Sequence, residues 1–195
     1  MEMLVSICLG IGLSAACGFR VFVPLLFMSI ASLSGHLALA PGFQWIGTYP
    51  ALITFSVATV LEIAGYYIPW VDHLLDTLAT PAAIVAGTIV TASIITGMSP
   101  LLKWTLAAIA GGGVAGLVQG ATVITRGAST VTTAGLANPI FATIELSGAV
   151  VTSLVAILAP VLAVALIAMV LLVLGQKLLR RNRGAPANPV EPGLS

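Results

Sequence analysis

Residues Leu4 to Leu33 read LVSICLGIGLSAACGFRVFVPLLFMSIASL, thirty positions whose one charge is Arg20. A helix crossing a bilayer needs about 20 mainly apolar residues, so this run is long enough to be a membrane helix, with lipid as its solvent. The rest of the chain agrees. Across 195 residues 59% are hydrophobic and 7% charged, against about 25% charged in ordinary soluble domains, which excludes a soluble globule. The formal net charge is +1, and there is no basic stripe of the kind that neutralises phosphates, so nucleic acid is not an expected partner. Cys8 and Cys17 both lie in the opening run. Their separation matches neither a disulfide framework nor a metal-ligand spacing, and they read as small packing residues.

Outward from that run, residues 36–49 form a loop whose Phe43, Trp45 and Tyr49 suit a membrane-water interface. Pro50 to Ile68 is a second apolar run, with Glu62 as its charge. Pro69 to Thr80 reads as an interfacial helix, with Trp70, Val71, Leu74, Leu75 and Leu78 on one side and Asp72, His73, Asp76 and Thr80 on the other. Pro81 to Gly97 is a third span, and Thr105 to about Ile124 a fourth, closed by Arg126. The Ser-, Thr- and Gly-rich segment 127–138 joins residues 139–148, with Glu145, in a broken fifth span, or else stands as a loop beside a short re-entrant helix. Val151 to Leu174 is the last span. Lys177, Arg180, Arg181 and Arg183 then place the C-terminus in the cytoplasm by the positive-inside rule.

The two halves echo each other. Ser6, Gly10, Ser14 and Gly18 recur every four residues, as do Ala108, Gly112, Gly116 and Gly120. Each set gives one helix a small-residue stripe suited to close packing. Each stripe leads to an arginine (Arg20, Arg126), then a proline-led helix with one glutamate (Glu62, Glu145), then a helix with an early proline (Pro81, Pro160). Three spans per half, an odd number, would insert the second half in the opposite sense. This predicts an all-α polytopic bundle of about six spans in two inverted three-helix repeats, residues 1–100 and 101–176, followed by a cytoplasmic tail, 177–195. Five spans plus a re-entrant helix is the alternative.

With those residues in view, the chain resembles the bacterial membrane-protein family known as domain of unknown function 4126. The resemblance rests on Gly18-Phe19-Arg20-Val21-Phe22-Val23-Pro24-Leu25-Leu26, on residues 62–87 around Ile68-Pro69-Trp70-Val71-Asp72, and on Asn138-Pro139 followed by Glu145. It implies a location in the bacterial cytoplasmic membrane and carries no activity. It also implies acidic or basic residues at two places where this chain has Gly65-Tyr66 and Leu146, leaving Glu62 and Glu145 as the carboxylates there.

Charges at bilayer depth are expensive, and they usually pair or face a wet cavity. Apart from arginines that snorkel to an interface, two readings therefore stand for Arg20, Glu62, Arg126 and Glu145. They form two structural ion pairs, Arg20 with Glu62 and Arg126 with Glu145, or they converge on a solute or ion pathway. Asp72, His73 and Asp76 share one edge of a helical turn and are candidate metal ligands. No phosphate loop, nucleophile elbow or zinc-protease motif is present, so no enzyme activity and no cofactor are expected. The expected function is a small secondary transporter or channel-like permease for a small polar or anionic solute. The alternative is a structural or assembly subunit without transport activity. The partners expected are the bilayer, the solute, and a second copy or a membrane partner docked on the stripes of Gly10, Ser14, Gly18, Gly112, Gly116 and Gly120.

Overall fold

The computed structural model describes residues 2–133 and 136–183, with side chains at all of these except 69, 70, 72, 73, 174, 175 and 177–183. Among the described residues every regular element is helical: α1 (Glu2–Cys17), α2 (Phe22–Leu33), α3 (Tyr49–Tyr66), α4 (Pro69–Ile94), α5 (Pro100–Leu106), a π segment (Ala107–Gly112), α6 (Gly113–Thr133), α7 (Asn138–Leu158) and α8 (Pro160–Arg183). Four stretches are long and apolar enough to cross a membrane: Tyr49–Tyr66, Leu74–Ile94, Pro100–Thr133 and Asn138–Leu158. Their outer faces are apolar, with Ile53, Val60, Ile109, Leu117 and Ile144 all exposed. This is the surface expected where lipid replaces water.

The opening run is two helices rather than one. A continuous helix would bring the ring of Pro24 against the Arg20 carbonyl and lose a hydrogen bond there, whereas proline is tolerated in a first turn. The chain accordingly breaks at residues 18–21 and restarts at Phe22. Gly18 permits the closest approach at the break: a Cβ on it would lie 2.6 Å from both the Ala115 carbonyl oxygen and the Val118 Cβ.

Neighbour contacts give the helix directions. Gly10 abuts Thr91 while Ser14 Oγ, four residues on, donates to the Gly87 carbonyl at 2.7 Å, so α1 runs antiparallel to α4. Phe22 meets Glu62 while Ser32 abuts Gly47, just ahead of α3, so α2 runs antiparallel to α3. After α2 the chain returns to the C-terminal end of α4, where Ala40 N donates to the Ser93 carbonyl and the Phe43 ring packs at a tilt against Trp104. α1 and α2 are thus a hairpin that enters the bundle from one end and turns back inside it, with Arg20 at the bend.

Two further boundaries differ from the sequence reading. The segments at Pro69 and Pro81 form one helix, with Pro81 inside it. In apolar surroundings unwinding would expose several backbone groups, while a single missing N–H is a smaller loss. Of the hydroxyl-rich stretch 127–138, residues 127–133 are helical rather than loop or broken span, since α6 continues to Thr133. Its threonines donate back to carbonyls four residues earlier, Thr132 to Ala128 at 2.9 Å and Thr133 to Ser129 at 2.8 Å. Back-bonding of this kind satisfies a hydroxyl without unwinding the helix.

Most of the two small-residue stripes faces α4, with Gly18 turned to α6 instead. Besides Gly10 and Ser14, a Cβ on Gly112 would meet Thr88 and Ile84, and one on Gly116 would meet Ile84. Gly120 has nothing within 4 Å of its Cβ position, so within the chain it abuts no other described helix. The π segment carries Gly111 to the same face, where a Cβ would crowd the Gly87 carbonyl oxygen and Thr91.

Candidate functional site: a buried charge cluster at the hairpin bend

Arg20 sits in the four-residue break, 2% exposed. Its Nη2 donates to the Ala142 carbonyl at 2.9 Å and lies 3.4 Å from Glu145 Oε2. The remaining guanidinium nitrogens, Nε and Nη1, have no acceptor. Glu62 is not Arg20's partner, because the two make no ion pair. The Glu62 carboxylate instead accepts from the backbone at the start of α2, Val21 N to Oε1 at 2.7 Å and Phe22 N to Oε2 at 3.1 Å. A helix N-terminus leaves its first N–H groups unpaired and carries partial positive charge. A carboxylate aimed at that position is drawn to the backbone rather than to the neighbouring side chain.

Arg126 and Glu145 pair as the sequence suggests, in a two-pronged fork: Nε donates to Oε1 at 2.8 Å and Nη2 to Oε2. Glu145 Oε2 is shared with Arg20, so one carboxylate bridges both arginines. On its other side Arg126 Nη1 lies 3.4 Å from Asp76 Oδ1. Tyr66 joins the two cations, its ring centroid 3.7 Å from Arg20 Cζ and 4.3 Å from Arg126 Cζ, within the range at which a cation is attracted to an aromatic face. The four charges singled out from the sequence therefore converge, with the Arg126–Glu145 pair as expected, Arg20 on Glu145 rather than Glu62, and Asp76 and Tyr66 added.

Tyr66 was missed. Its signal was present, since it lies one turn after Glu62 and i,i+4 residues share a helix face. Of the three candidate metal ligands, Asp76 serves as a partner of Arg126, and the side chains of Asp72 and His73 lie outside the described residues. Among the described residues no group of three His, Cys, Asp or Glu side chains is placed to hold a metal ion.

Two cavities flank the cluster. One, of ≈ 430 Å³ between α2, α3 and α4, is walled by Val21, Phe22, Glu62, Tyr66, Val71 and Leu75 among others. The second, of ≈ 280 Å³ between α6, α7 and α8, includes Phe19, Val118, Thr122, Phe141 and Glu145. Each is mostly apolar and has one carboxylate in its wall. The two glutamates thus line different cavities.

Helices with membrane-like apolar faces around a buried cluster of charges define a class, the all-helical integral membrane bundle. Within that class, residues 7–181 match the model of the family described as Domain of unknown function (DUF4126), and the chain belongs to that family. Comparisons with curated proteins and with solved structures found no match.

Proposed function

We propose that the chain is a small permease that passes a small polar or anionic solute through the cluster at Arg20, and that it is not an enzyme. One observation carries this reading: the α1–α2 break puts non-helical backbone and a helix N-terminus deep inside the bundle, beside an arginine with unfilled donors. Interrupted backbone at membrane depth is tolerated where protein or a cavity covers it. Half-helix N-termini aimed at a midplane site are a recurring way for transporters to hold anionic groups. On this reading α3, α4, the continuous 100–133 helix, α7 and α8 are five crossings and α1–α2 is a re-entrant hairpin. The hairpin then takes the place that the sequence reading gave to residues near 127–150. The basic residues after Leu174 keep the C-terminus cytoplasmic, in a bacterial inner membrane, and an odd number of crossings puts the N-terminus on the other face.

A second reading, a structural subunit, is favoured by the Arg126–Glu145 fork, a closed buried pair that suits a brace. Against it, the stripes that were to dock a partner are largely used inside the chain, on α4. Flux assays on purified protein in vesicles separate the two. Under the permease reading, a panel of small neutral and anionic solutes contains one that the wild type passes and Arg20→Gln does not. Absence of flux for the whole panel, with folded protein in the vesicles, would leave the structural reading.

A further inference from the structure

The bend of the hairpin holds more donors than this chain's own acceptors fill. Arg20 Nε and Nη1 have no partner although the side chain is 1% exposed. Both oxygens of Glu145 are occupied by Arg126, and Glu62 is held on Val21 N and Phe22 N. Arg20 immediately precedes those two N–H groups in the chain. It stacks on Tyr66, which walls the same ≈ 430 Å³ cavity as Val21, Phe22 and Glu62. The start of α2 therefore already binds an anionic group, and that group is a carboxylate tethered to α3.

We propose that Glu62 occupies the seat of a small monovalent inorganic anion, of halide or nitrate size, which binds together with one proton. This deepens the permease reading and rests on it. Electrostatics sets the stoichiometry. Among the described side chains, Glu145 and Asp76 are the carboxylates that contact Arg20 and Arg126, and the Glu62 charge lies against the partial positive charge of the α2 N-terminus. A further anion added to that arrangement would meet uncompensated negative charge. A proton on Glu62 removes the conflict: the neutral acid releases Val21 N and Phe22 N, the anion accepts from them, and the Arg20 donors complete its shell. Charge is conserved at the site, with one anion and one proton entering together. The ionisable groups around Glu62 are Cys17 and Arg20 at the end of α1 and Tyr66 on its own helix. Arg126 of α6, Asp76 of α4 and Glu145 of α7 lie beyond Arg20 and Tyr66. Among these, Arg20 is the one with donors to offer.

The test is an equilibrium titration of the full chain, in nanodiscs of uncharged lipid, with sodium bromide, chloride or nitrate against gluconate at constant ionic strength. Coupling to one proton strengthens wild-type binding by about tenfold for each unit of pH lowered while Glu62 is ionised. Glu62→Gln, a neutral side chain that holds the seat through one oxygen and that an anion can displace, should bind the anion equally well at every pH. Adding Arg20→Lys, which keeps the charge but loses the fork, should weaken that binding at least tenfold. In crystals of Glu62→Gln, anomalous scattering should place bromide within hydrogen-bond distance of Val21 N and Phe22 N. No binding to Glu62→Gln, pH-independent binding to the wild type, or only water at those N–H groups would overturn the proposal. The permease reading fails separately: solute flux without anion binding rejects this inference alone, whereas binding without flux rejects transport and keeps the site.

Discussion

Glutamine at Glu145 changes charge while nearly preserving shape, and the structure makes it the most damaging single change in the cluster. The amide oxygen can still accept from one arginine, but its NH2 group cannot accept from Arg126 or Arg20, so at least one charge-assisted hydrogen bond is lost, worth about 1.5–3 kcal/mol. The two guanidiniums are also left close together at Tyr66 without the carboxylate between them. With Cζ atoms 3.7 and 4.3 Å from one ring centroid, they are separated by about 8 Å or less, a repulsion of about 2 kcal/mol at an effective dielectric near 20. Glu145→Gln should therefore destabilise the protein by about 4 kcal/mol. At Glu62 the same substitution keeps one backbone acceptor and loses another, with no cations left in conflict, for about 1–2 kcal/mol. Reversible unfolding in mixed micelles, followed by circular dichroism, measures both variants against the wild type. Equal losses, or a greater loss at Glu62, would refute the assignment of Glu145 as the shared bridge.

Double-mutant cycles read the same wiring. Arg126 and Glu145 should couple by about 3 kcal/mol, whereas Arg20 and Glu62, which make no ion pair, should be additive to within about 1 kcal/mol; strong Arg20–Glu62 coupling would restore the pairing suggested by sequence order. Gly18→Ala, whose Cβ would lie 2.6 Å from backbone and side chain of α6, should destabilise by about 1–3 kcal/mol. Gly120→Ala, with open space at its Cβ position, should be neutral or stabilise by up to about 1 kcal/mol, and matching thermal shifts for the two would argue against the α1–α6 contact. In a background lacking the native cysteines, single cysteines at Met3 and Gly97 should label from the same face of the membrane and one at Leu136 from the other; labelling of Met3 with Leu136 would sink the hairpin and return α1–α2 to a full crossing.

The sequence by itself determined the solvent and the class. Hydropathy sums over neighbouring residues, so long apolar runs with four isolated interior charges are legible without knowing what touches what, and the residues that would matter (Arg20, Glu62, Arg126, Glu145) stood out because charge is rare in such runs. The family was equally legible, through strings such as Gly18 to Leu26. Pairing was not. The Glu62 carboxylate meets a backbone N–H 41 positions earlier, and Arg20 donates to a carbonyl 122 positions later. Each arginine also had two glutamates within plausible reach. The α1–α2 break shows the boundary between the two kinds of information. Pro24 makes an interruption near Arg20 foreseeable from local chemistry, but the turn back into the bundle depends on Gly18 lying against α6 and Glu62 covering the start of α2. Tertiary structure alone decided those contacts, because they come from segments whose relative positions no local pattern encodes.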